Sequence, residues 1–365
     1  MYQTKLEINL DAILHNINEF RKFLAPETKI MAVVKAFAYG AGAIEVASFL
    51  ESNGIDYLAV ACVDEGIELR TAGIALPIVV LNPNPSAFDK VIKHSLEPDL
   101  FSAESFDSFV SIVEKHGLTN YPVHIKIDSG MHRLGFLPDE IDNLAEKIKG
   151  KKCIKVVSVF SHLAGSGNPD LDDFSKNQVD VFLSACSKLY SATGYPFMKH
   201  ILSSSGIARM PQYQFDMVRP GIGIYGAKTF DGIALKPVSI FSSVISQIKT
   251  VKRGEPVGYE CADVSENDRE IAILSVGYAD GLKRKMGNRR GELFIKGARV
   301  PIIGNICMDM CMADVTGIGA KIGDEAEIFG DNISVKEVAE ICETIPYEIL
   351  TSISGRVRRV FLKGN

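Results

Sequence analysis

The feature that most constrains the fold is a regular alternation between short apolar runs and helix-like segments over about the first 225 residues. Eight runs have the length and composition of β-strands: 30–35, 57–61, 78–82, 97–100, 123–128, 154–161, 198–204 and 215–219. Between them lie segments of helical periodicity, among them 43–53, 64–72, 103–116, 138–148 and 172–192. Several of the strand-like runs, such as 31–34, are apolar at every position, as in parallel sheets covered by helices.

Eight such units predict a (β/α)8 barrel, which usually takes about 250 residues. A doubly wound open sheet is the alternative at this level. After Pro237 the pattern changes to successive strand-like runs with little helix: 239–251, 270–278, 292–295, 302–315, 325–329 and 356–362, interrupted by one helix at 335–344. We therefore predict an α/β protein with a barrel at 1–234 and a mostly β C-terminal domain at 235–365.

Charge and cysteine content exclude several classes of function. The chain has 40 Lys and Arg against 45 Asp and Glu, a net charge of −5, which argues against a nucleic-acid-binding protein. No apolar run approaches the roughly 18 residues of a membrane span, so we expect a cytoplasmic protein. The seven cysteines include no C-x-x-C pair, and nothing completes a zinc set around Cys307 and Cys311. We predict free thiols and no metal site.

In barrels of this kind the active site lies at the carboxyl ends of the strands. Polar residues at the predicted strand ends are Lys35, Lys126, Asp128, Arg133, His162, the serines at 203–205, and Arg219. Lys35 is the most informative, because a lysine ending an apolar strand is costly to bury unless it is paired or used chemically. Lysine is also the residue that forms Schiff bases with carbonyl groups. A lysine that merely extends its ammonium group to solvent is the alternative.

The segment GIGIYG at 221–226 matches the G-x-G-x-x-G pattern of dinucleotide-binding folds. That motif requires an early βαβ unit and an acidic residue about 20 positions later. Here it comes late in the chain, and the segment 234–249 contains no Asp or Glu. Glycines after the eighth barrel strand favour a different use, in which backbone N–H groups bind a phosphate.

Several longer motifs resemble those of the alanine racemase family, in the same order along essentially the whole chain. They are VVKAFAYG (33–40), KIDSGMHRLG (126–135), SHLA (161–164), MVRPGIGIYG (217–226), VGYADG (276–281) and CMD (307–309). The resemblance implies a pyridoxal 5'-phosphate enzyme that interconverts L- and D-alanine for peptidoglycan. It also implies a cofactor-binding barrel, a C-terminal β domain, and a head-to-tail homodimer with shared active sites.

The resemblance further assigns roles to individual residues. Lys35 would bind the cofactor covalently and act as one base, and Tyr259 of the partner subunit would act as the other. The cofactor phosphate would be bound by Tyr39, Ser204, Gly221 and Ile222. Arg219, linked to His162, would contact the pyridine nitrogen, and Arg133 would contact the cofactor's phenolic oxygen and the substrate carboxylate. Substrate contacts from across the interface would come from Tyr278, Met308 and Asp309. Lys126 matches a lysine that can carry a carbamate and then orient the arginine.

The chain departs from the family's usual pattern at Phe37, Ala41, Ser203 and Gly355. Gly355 stands where some members of the family have a tyrosine near the phosphate. The absence of that tyrosine ring would widen the pocket, which predicts activity with serine or another small amino acid. Two other classes of pyridoxal-phosphate protein are alternatives to a racemase. A non-catalytic pyridoxal-phosphate-binding protein shares the barrel but lacks the β domain. A decarboxylase of the same architecture needs no tyrosine base.

Overall fold

A computed structural model describes residues 4–364 of the chain. The first of its two large sheets consists of eight parallel strands. The first strand of the chain, β1 (Thr4–Asn9), belongs to the second sheet. The eight parallel strands are, in chain order, β2 (Lys29–Val33), β3 (Tyr57–Val60), β4 (Ile78–Val80), β5 (Glu97–Leu100), β6 (Tyr121–Lys126), β7 (Ile154–Phe160), β8 (Met198–His200) and β9 (Met217–Val218). Backbone hydrogen bonds from Asp216 N to Lys199 O (3.1 Å) and from Arg219 N to Leu202 O (2.9 Å) join the last two strands. The sheet is a parallel barrel, and the predicted fold class is confirmed.

Helices, and one short turn labelled α2, connect successive strands around the barrel. They are α1 (Leu10–Arg21), α2 (Lys35–Tyr39), α3 (Ala43–Ser52), α4 (Val63–Thr71), α5 (Phe88–Lys93), α6 (Ala103–Lys115), α7 (Ile141–Ile148), α8 (Asp172–Thr193) and α9 (Ser204–Arg209). α1 shows why such helices form: Asn9 caps it by accepting from Ala12 N at 3.0 Å, and Ile13, Ile17 and Phe20 face the core at helical spacing. The helices α1, α5 and α9 were not among those predicted.

The second large sheet is mostly antiparallel and has the order β13-β16-β15-β14-β17-β10-β1-β18. Besides β1, its strands are β10 (Ser239–Val251), β13 (Arg269–Leu274), β14 (Glu292–Ile295), β15 (Ala298–Ile303), β16 (Cys311–Asp314), β17 (Glu325–Phe329) and β18 (Arg358–Leu362). Two further strands, β11 (Pro256–Val257) and β12 (Asp263–Val264), form a separate two-stranded sheet. Two short helices, α10 (Val335–Ile341) and α11 (Pro346–Thr351), precede β18.

Two elements differ from the sequence predictions. β1 pairs with β10 and β18 in the second sheet, although the prediction placed all of 1–234 in the barrel. The run 302–315 is not one strand but two, β15 and β16, because the chain turns at Gly304 with a φ of +61°. The residues between these strands include Met308 and Asp309, so the correction places two predicted site residues in a loop. Over residues 4–364, no helix has the length and apolar character needed to span a bilayer.

Candidate active site

A cavity of about 230 Å³ opens at the carboxyl end of the barrel. Its lining contains nine of the residues predicted from the sequence: Lys35, Tyr39, Lys126, Arg133, His162, Ser204, Arg219, Gly221 and Ile222. These residues come from the ends of β2, β6, β7, β8 and β9 and from the loops that follow. The parallel barrel brings them together because all its strands end on the same face.

Lys35 begins an unusual backbone segment. The four residues after it, Ala36 to Tyr39, all have φ between 53° and 55°, which makes α2 a left-handed turn. Left-handed helical conformation costs roughly 1–2 kcal/mol per non-glycine residue, so the surrounding structure must hold this turn. The Glu65 carboxylate accepts from Ala36 N and Ala61 N, each at 2.7 Å, and so fixes the start of the turn to the end of β3. The turn thereby sets the direction of the Lys35 side chain.

Burial and the nearby positive charge of Arg133 lower the pKa of Lys35, and Glu65 opposes this shift. A lowered pKa increases the fraction of neutral amine, the form of lysine that attacks a carbonyl group. Lys35 therefore has the position and the environment of a nucleophilic lysine.

The opposite side of the cavity is built to bind an anion. Ser204 Oγ accepts hydrogen bonds from Gly221 N (3.0 Å) and Gly223 N (3.2 Å), which leaves its own proton free to donate. Tyr39 lies beside it, and an added Cβ on Gly221 would come within 2.5 Å of the Tyr39 hydroxyl oxygen. Burial raises the pKa of Tyr39, so its hydroxyl remains a neutral donor.

Arg219 is buried at the floor of the cavity. Its guanidinium donates to Ser161 O (2.6 Å), to His200 Nδ1 (2.6 Å) and to His162 Nδ1 (3.3 Å). Because arginine only donates, both histidines must accept at Nδ1, and the proton of each neutral ring lies on Nε2. Burial and the charge of Arg219 lower the pKa of His162 to about 3, so its ring is neutral.

Arg133 is carried by a tight loop that follows β6. The Asp128 carboxylate accepts from Gly130 N and His132 N, each at 3.0 Å, and the backbone of Phe136 pairs with that of Asp128 and Lys126. Burial opposes ionisation of Asp128, but these N–H groups lower its pKa. The loop thus returns to the strand end and places Arg133 at the rim of the cavity.

Lys126 lies next to an unexpected carboxyl group. Its Nζ is 3.9 Å from Oδ2 of Asp99, which is fully buried, and neither Asp99 oxygen has a hydrogen-bond partner among the described residues. Burial raises the pKa of Asp99 to about 8, against the opposing charges of Lys126 and Arg219. Burial also lowers the pKa of Lys126, which Asp99 raises and Arg133 lowers further.

The cavity as a whole carries surplus positive charge. Lys35, Lys126, Arg133 and Arg219 line it, and none of the described lining residues is Asp or Glu. Two of them, Lys126 and Arg219, are buried, and buried cations require a partner of opposite charge. The geometry fits an anionic ligand that carries a phosphate at the Ser204 end.

The other four predicted residues, Tyr259, Tyr278, Met308 and Asp309, do not line this cavity. They lie together on the second domain, where Tyr278 N donates to Cys307 O (3.1 Å) and Asn305 Nδ2 donates to Tyr259 O (3.2 Å). Their side chains are exposed, and Tyr259 is 69% exposed. Within one chain, the predicted site is divided between two surfaces.

Sequence reasoning missed several residues at the cavity. Tyr347 of α11 lines it, with its ring centre 5.9 Å from that of Tyr39, and Phe160 lies beneath Arg219 and Lys126. Asp99 had a signal, since an acidic residue stands inside a predicted strand. Tyr347 had none, because no pattern in the sequence indicates that a helix of the second domain packs against the Lys35 turn.

Comparison with known proteins identifies the family to which the chain is similar. The models of the alanine racemase N-terminal and C-terminal domains match residues 8–229 and 238–361. Alanine racemase 1 of Caldanaerobacter subterraneus subsp. tengcongensis is 36% identical, over 98% of this chain and 94% of that protein. The alanine racemase structure from Clostridium difficile 630 superposes with a TM-score of 0.94 at 35% identity, covering 99% of this chain and 96% of that one.

An alanine racemase structure from Bartonella henselae, described with covalently bound pyridoxal phosphate, has a TM-score of 0.89 at 29% identity. That likeness covers 99% of this chain and 100% of the other.

Proposed function

The chain belongs to the alanine racemase family and is a pyridoxal-phosphate-dependent alanine racemase, and we propose that it works with two bases, Lys35 and Tyr259 of the partner subunit. The observation that carries this proposal is the division of the site: a cationic cavity around Lys35 on one surface and an exposed Tyr259 on another. We also propose that the D-alanine formed supplies peptidoglycan and that the enzyme is cytoplasmic.

The residues present fit pyridoxal 5'-phosphate. The absence of a side chain at Gly221 leaves room where a Cβ would collide with Tyr39, and the neighbouring Ser204 hydroxyl can donate to a phosphate oxygen. The backbone N–H of Ile222 would add a donor for the same phosphate, and that of Gly221, which donates to Ser204 Oγ in this structure, would do so by sharing its hydrogen between the two oxygens. The surplus of cations in the lining would balance the charges of the phosphate and the phenolic oxygen. Lys35 would hold the cofactor, whose chemistry is to acidify the Cα–H bond of alanine.

Racemisation requires a proton carrier on each face of Cα. Lys35 would serve one face, where its lowered pKa increases the fraction of free amine. Tyr259 of the partner subunit would serve the other. Arg133, at the rim of the cavity, would bind the substrate carboxylate through its fork of N–H donors.

His162 would support the tyrosine as a hydrogen-bond donor. Since its Nδ1 accepts from Arg219, its Nε2–H is available to another group. A neutral imidazole beside a buried guanidinium can donate to a phenolate oxygen without adding a charge to the cavity. This arrangement would link Tyr259 of the partner subunit to Arg219 through one ring.

A homodimer would bring the two surfaces together. Each domain exposes large apolar side chains: Phe37, Leu137, Leu171 and Phe174 on the barrel domain, and Tyr259, Tyr278, Met308 and Met310 on the second domain. A dimer interface would cover them. A head-to-tail pair would place Tyr278, the Met308 backbone and Asp309 of each chain over the cavity of the other.

We propose that Lys126 carries a carbamate. Addition of CO₂ to the neutral amine forms an N–C bond and releases one proton, and the lowered pKa of Lys126 favours that amine. The carbamate would lie near Arg133, and a protonated Asp99 could donate to it. With ¹³C-bicarbonate, ¹³C NMR should show a carbamate carbon in the wild type and none in Lys126→Met. Its absence from the wild type would contradict this assignment.

The mechanism is tested by incubating the purified enzyme and cofactor with L-alanine in D₂O. Chiral analysis should show D-alanine, with deuterium at Cα. Tyr259→Phe should lower racemisation by a factor of about 10²–10⁴ and retain Cα exchange with one enantiomer only. Loss of CO₂ from the substrate would indicate a decarboxylase. Racemisation at the wild-type rate in Tyr259→Phe would contradict the role of the tyrosine.

The chain offers one residue for testing a wider substrate range. Gly355 is exposed and does not line the cavity of its own chain, and a Cβ added to it would meet no atom within 4 Å, so a tyrosine would have room there. We propose that L-serine is a secondary substrate. Gly355→Tyr should lower kcat/KM for L-serine more than for L-alanine, and a wild-type kcat/KM for L-serine at background would exclude it.

A further inference from the structure

A continuous hydrogen-bonded chain of side chains passes through the barrel interior below the cavity. It runs from Arg219 to His200 (2.6 Å), from His200 Nε2 to Ser158 Oγ (2.8 Å), and from Ser158 Oγ to His124 Nδ1 (2.6 Å). It ends where His124 Nε2 meets Oε2 of Glu97 at 2.7 Å. These residues lie on adjacent strands, β5 to β8, and at the end of β9.

The three central members of this chain, Ser158, His124 and His200, are fully buried, whereas the Glu97 side chain is 13% exposed. Buried polar groups are costly unless paired, and here each finds its partner within the chain. The chain therefore connects the floor of the cavity to the opposite, amino-terminal end of the barrel strands. We call it the Arg219–Glu97 relay.

Donor and acceptor roles in the relay follow from its two ends. Arg219 can only donate, so His200 accepts at Nδ1 and donates from Nε2 to Ser158. The single hydroxyl proton of Ser158 is then free to donate to His124 Nδ1. His124 donates from Nε2 to Glu97, which, when ionised, only accepts. All four bonds point in the same direction, from a guanidinium to a carboxylate.

The surroundings hold the relay in this geometry. The Phe160 ring stacks on the His200 ring, with centres 4.9 Å apart and planes within 2°. The guanidinium carbon of Arg219 lies 5.1 Å from the centre of the Phe160 ring. The Tyr57 ring packs edge-on against His124. Burial and the charge of Arg219 hold the pKa of His200 well below its ordinary value, which keeps its Nδ1 available as an acceptor.

We propose that His200, Ser158, His124 and Glu97 are positioning residues for Arg219. The proposal rests on the function proposed above and on the expectation, given by the family resemblance, that Arg219 contacts the pyridine nitrogen of the cofactor. Hydrogen bonds in a chain polarise one another, so a carboxylate at the far end makes His200 a stronger acceptor. The relay thereby fixes the orientation of the guanidinium and favours its charged form, although burial lowers the pKa of Arg219 to about 9.

The first test needs no turnover. ¹⁵N NMR of the histidine-labelled holoenzyme distinguishes the two ring nitrogens, with His124→Gln and His200→Gln used for assignment. We expect both rings to be neutral and protonated on Nε2. A proton on Nδ1 of either ring, or a doubly protonated His124, would overturn the direction of the relay.

The second test breaks the relay at its smallest member. Ser158→Ala should lower kcat for alanine about tenfold, with KM changed by less than about twofold, since the loss of a hydrogen bond that acts through Arg219 affects reactivity more than binding. The visible absorption maximum of the bound cofactor should shift, which a purely structural role would not cause. Glu97→Gln, at the partly exposed end, should shift both quantities in the same direction.

Ser175→Ala is the matched control, because Ser175 is a fully buried barrel-domain serine whose hydroxyl has no partner among the described residues. It should retain wild-type kcat and absorption. If the two-base mechanism failed, Tyr259→Phe would racemise alanine at the wild-type rate, whereas the NMR result and the effect of Ser158→Ala would stand. Wild-type kcat and spectrum in both Ser158→Ala and Glu97→Gln would overturn the relay's role.

Discussion

Arg219 shows how one buried cation sets the state of its neighbours. It donates to two histidines at once, and this forces both rings into the form protonated on Nε2. The same charge, added to burial, lowers the pKa of His162 to about 3. A neutral His162 can donate from its Nε2–H to a group that enters the cavity. His200 cannot do so, because its Nε2 is already paired with Ser158.

We expect His162 to remain neutral between pH 5 and 8. A pKa of about 3 in the folded state, below the reference of about 6.5, means that the unfolded chain binds the proton more tightly. The stability contributed by His162 is therefore complete above about pH 6.5 and is lost as the pH falls toward 3. A ¹⁵N NMR titration should show no protonation of this ring down to pH 5, with His162→Gln identifying the signal. A midpoint near 6.5 would contradict the assignment.

Gly221 is predicted to be intolerant of even one methyl group. In Gly221→Ala the new Cβ would lie 2.5 Å from the Tyr39 hydroxyl oxygen and would displace this proposed phosphate donor. We expect the dissociation constant for pyridoxal phosphate to rise on the order of tenfold, the effect of losing about one hydrogen bond to a charged group. Gly54→Ala is the control, since Gly54 precedes β3 at the end of the barrel away from the cavity and its Cβ meets nothing within 4 Å. Fluorescence titration that gave equal affinities for the two variants would exclude this role.

Among the elements, the left-handed turn α2 is the most unusual. Its four consecutive non-glycine residues with positive φ are held by contacts at both ends: Glu65 binds Ala36 N, and Arg359 Nε donates to Gly40 O at 3.1 Å. The Arg359 guanidinium also lies 5.5 Å from the centre of the Phe37 ring. Strain of this kind is typical of functional sites, and here it lies next to the lysine that would hold the cofactor.

Ala36→Gly should stabilise the protein. Ala36 is exposed, so removal of its methyl group leaves no cavity, and glycine adopts φ near +54° without the steric cost paid by alanine. We expect the free energy of unfolding to rise by up to about 1 kcal/mol. Ala192→Gly, in the right-handed helix α8, should lower it by roughly 0.5–1 kcal/mol. Urea denaturation showing a loss of stability in Ala36→Gly would indicate that the turn is unstrained.

The sequence predicted the barrel strands well because most of their residues are buried and a helix separates each strand from the next. Lys35, Lys126 and Arg219 could be placed at one end of the barrel for the same reason. β1 could not be assigned, since its pairing with β10 and β18 joins residues more than 200 positions apart. Nor could Tyr347, which reaches the cavity only through the packing of α11 against the Lys35 turn.

At the scale of the whole molecule, the two halves of the proposed site lie on different surfaces of one chain. The cavity residues line the barrel, and Tyr259, Tyr278 and Met308 are exposed on the second domain. The sequence identified both halves from their motifs and, through the family resemblance, expected Tyr259 to come from the partner subunit; the fold adds that Tyr259 does not line the cavity of its own chain. Assembly of two copies is therefore part of the proposed chemistry.

The most direct test of the shared site is to mix two inactive variants. Lys35→Ala and Tyr259→Phe are purified separately, unfolded together and refolded as a mixture, with each variant refolded alone as the control. Random pairing makes half of the dimers hybrids, each with one intact site, so about a quarter of wild-type racemase activity should return. If the mixture stays as inactive as the separate variants, although hybrid dimers are present, Lys35 and Tyr259 do not act across two subunits.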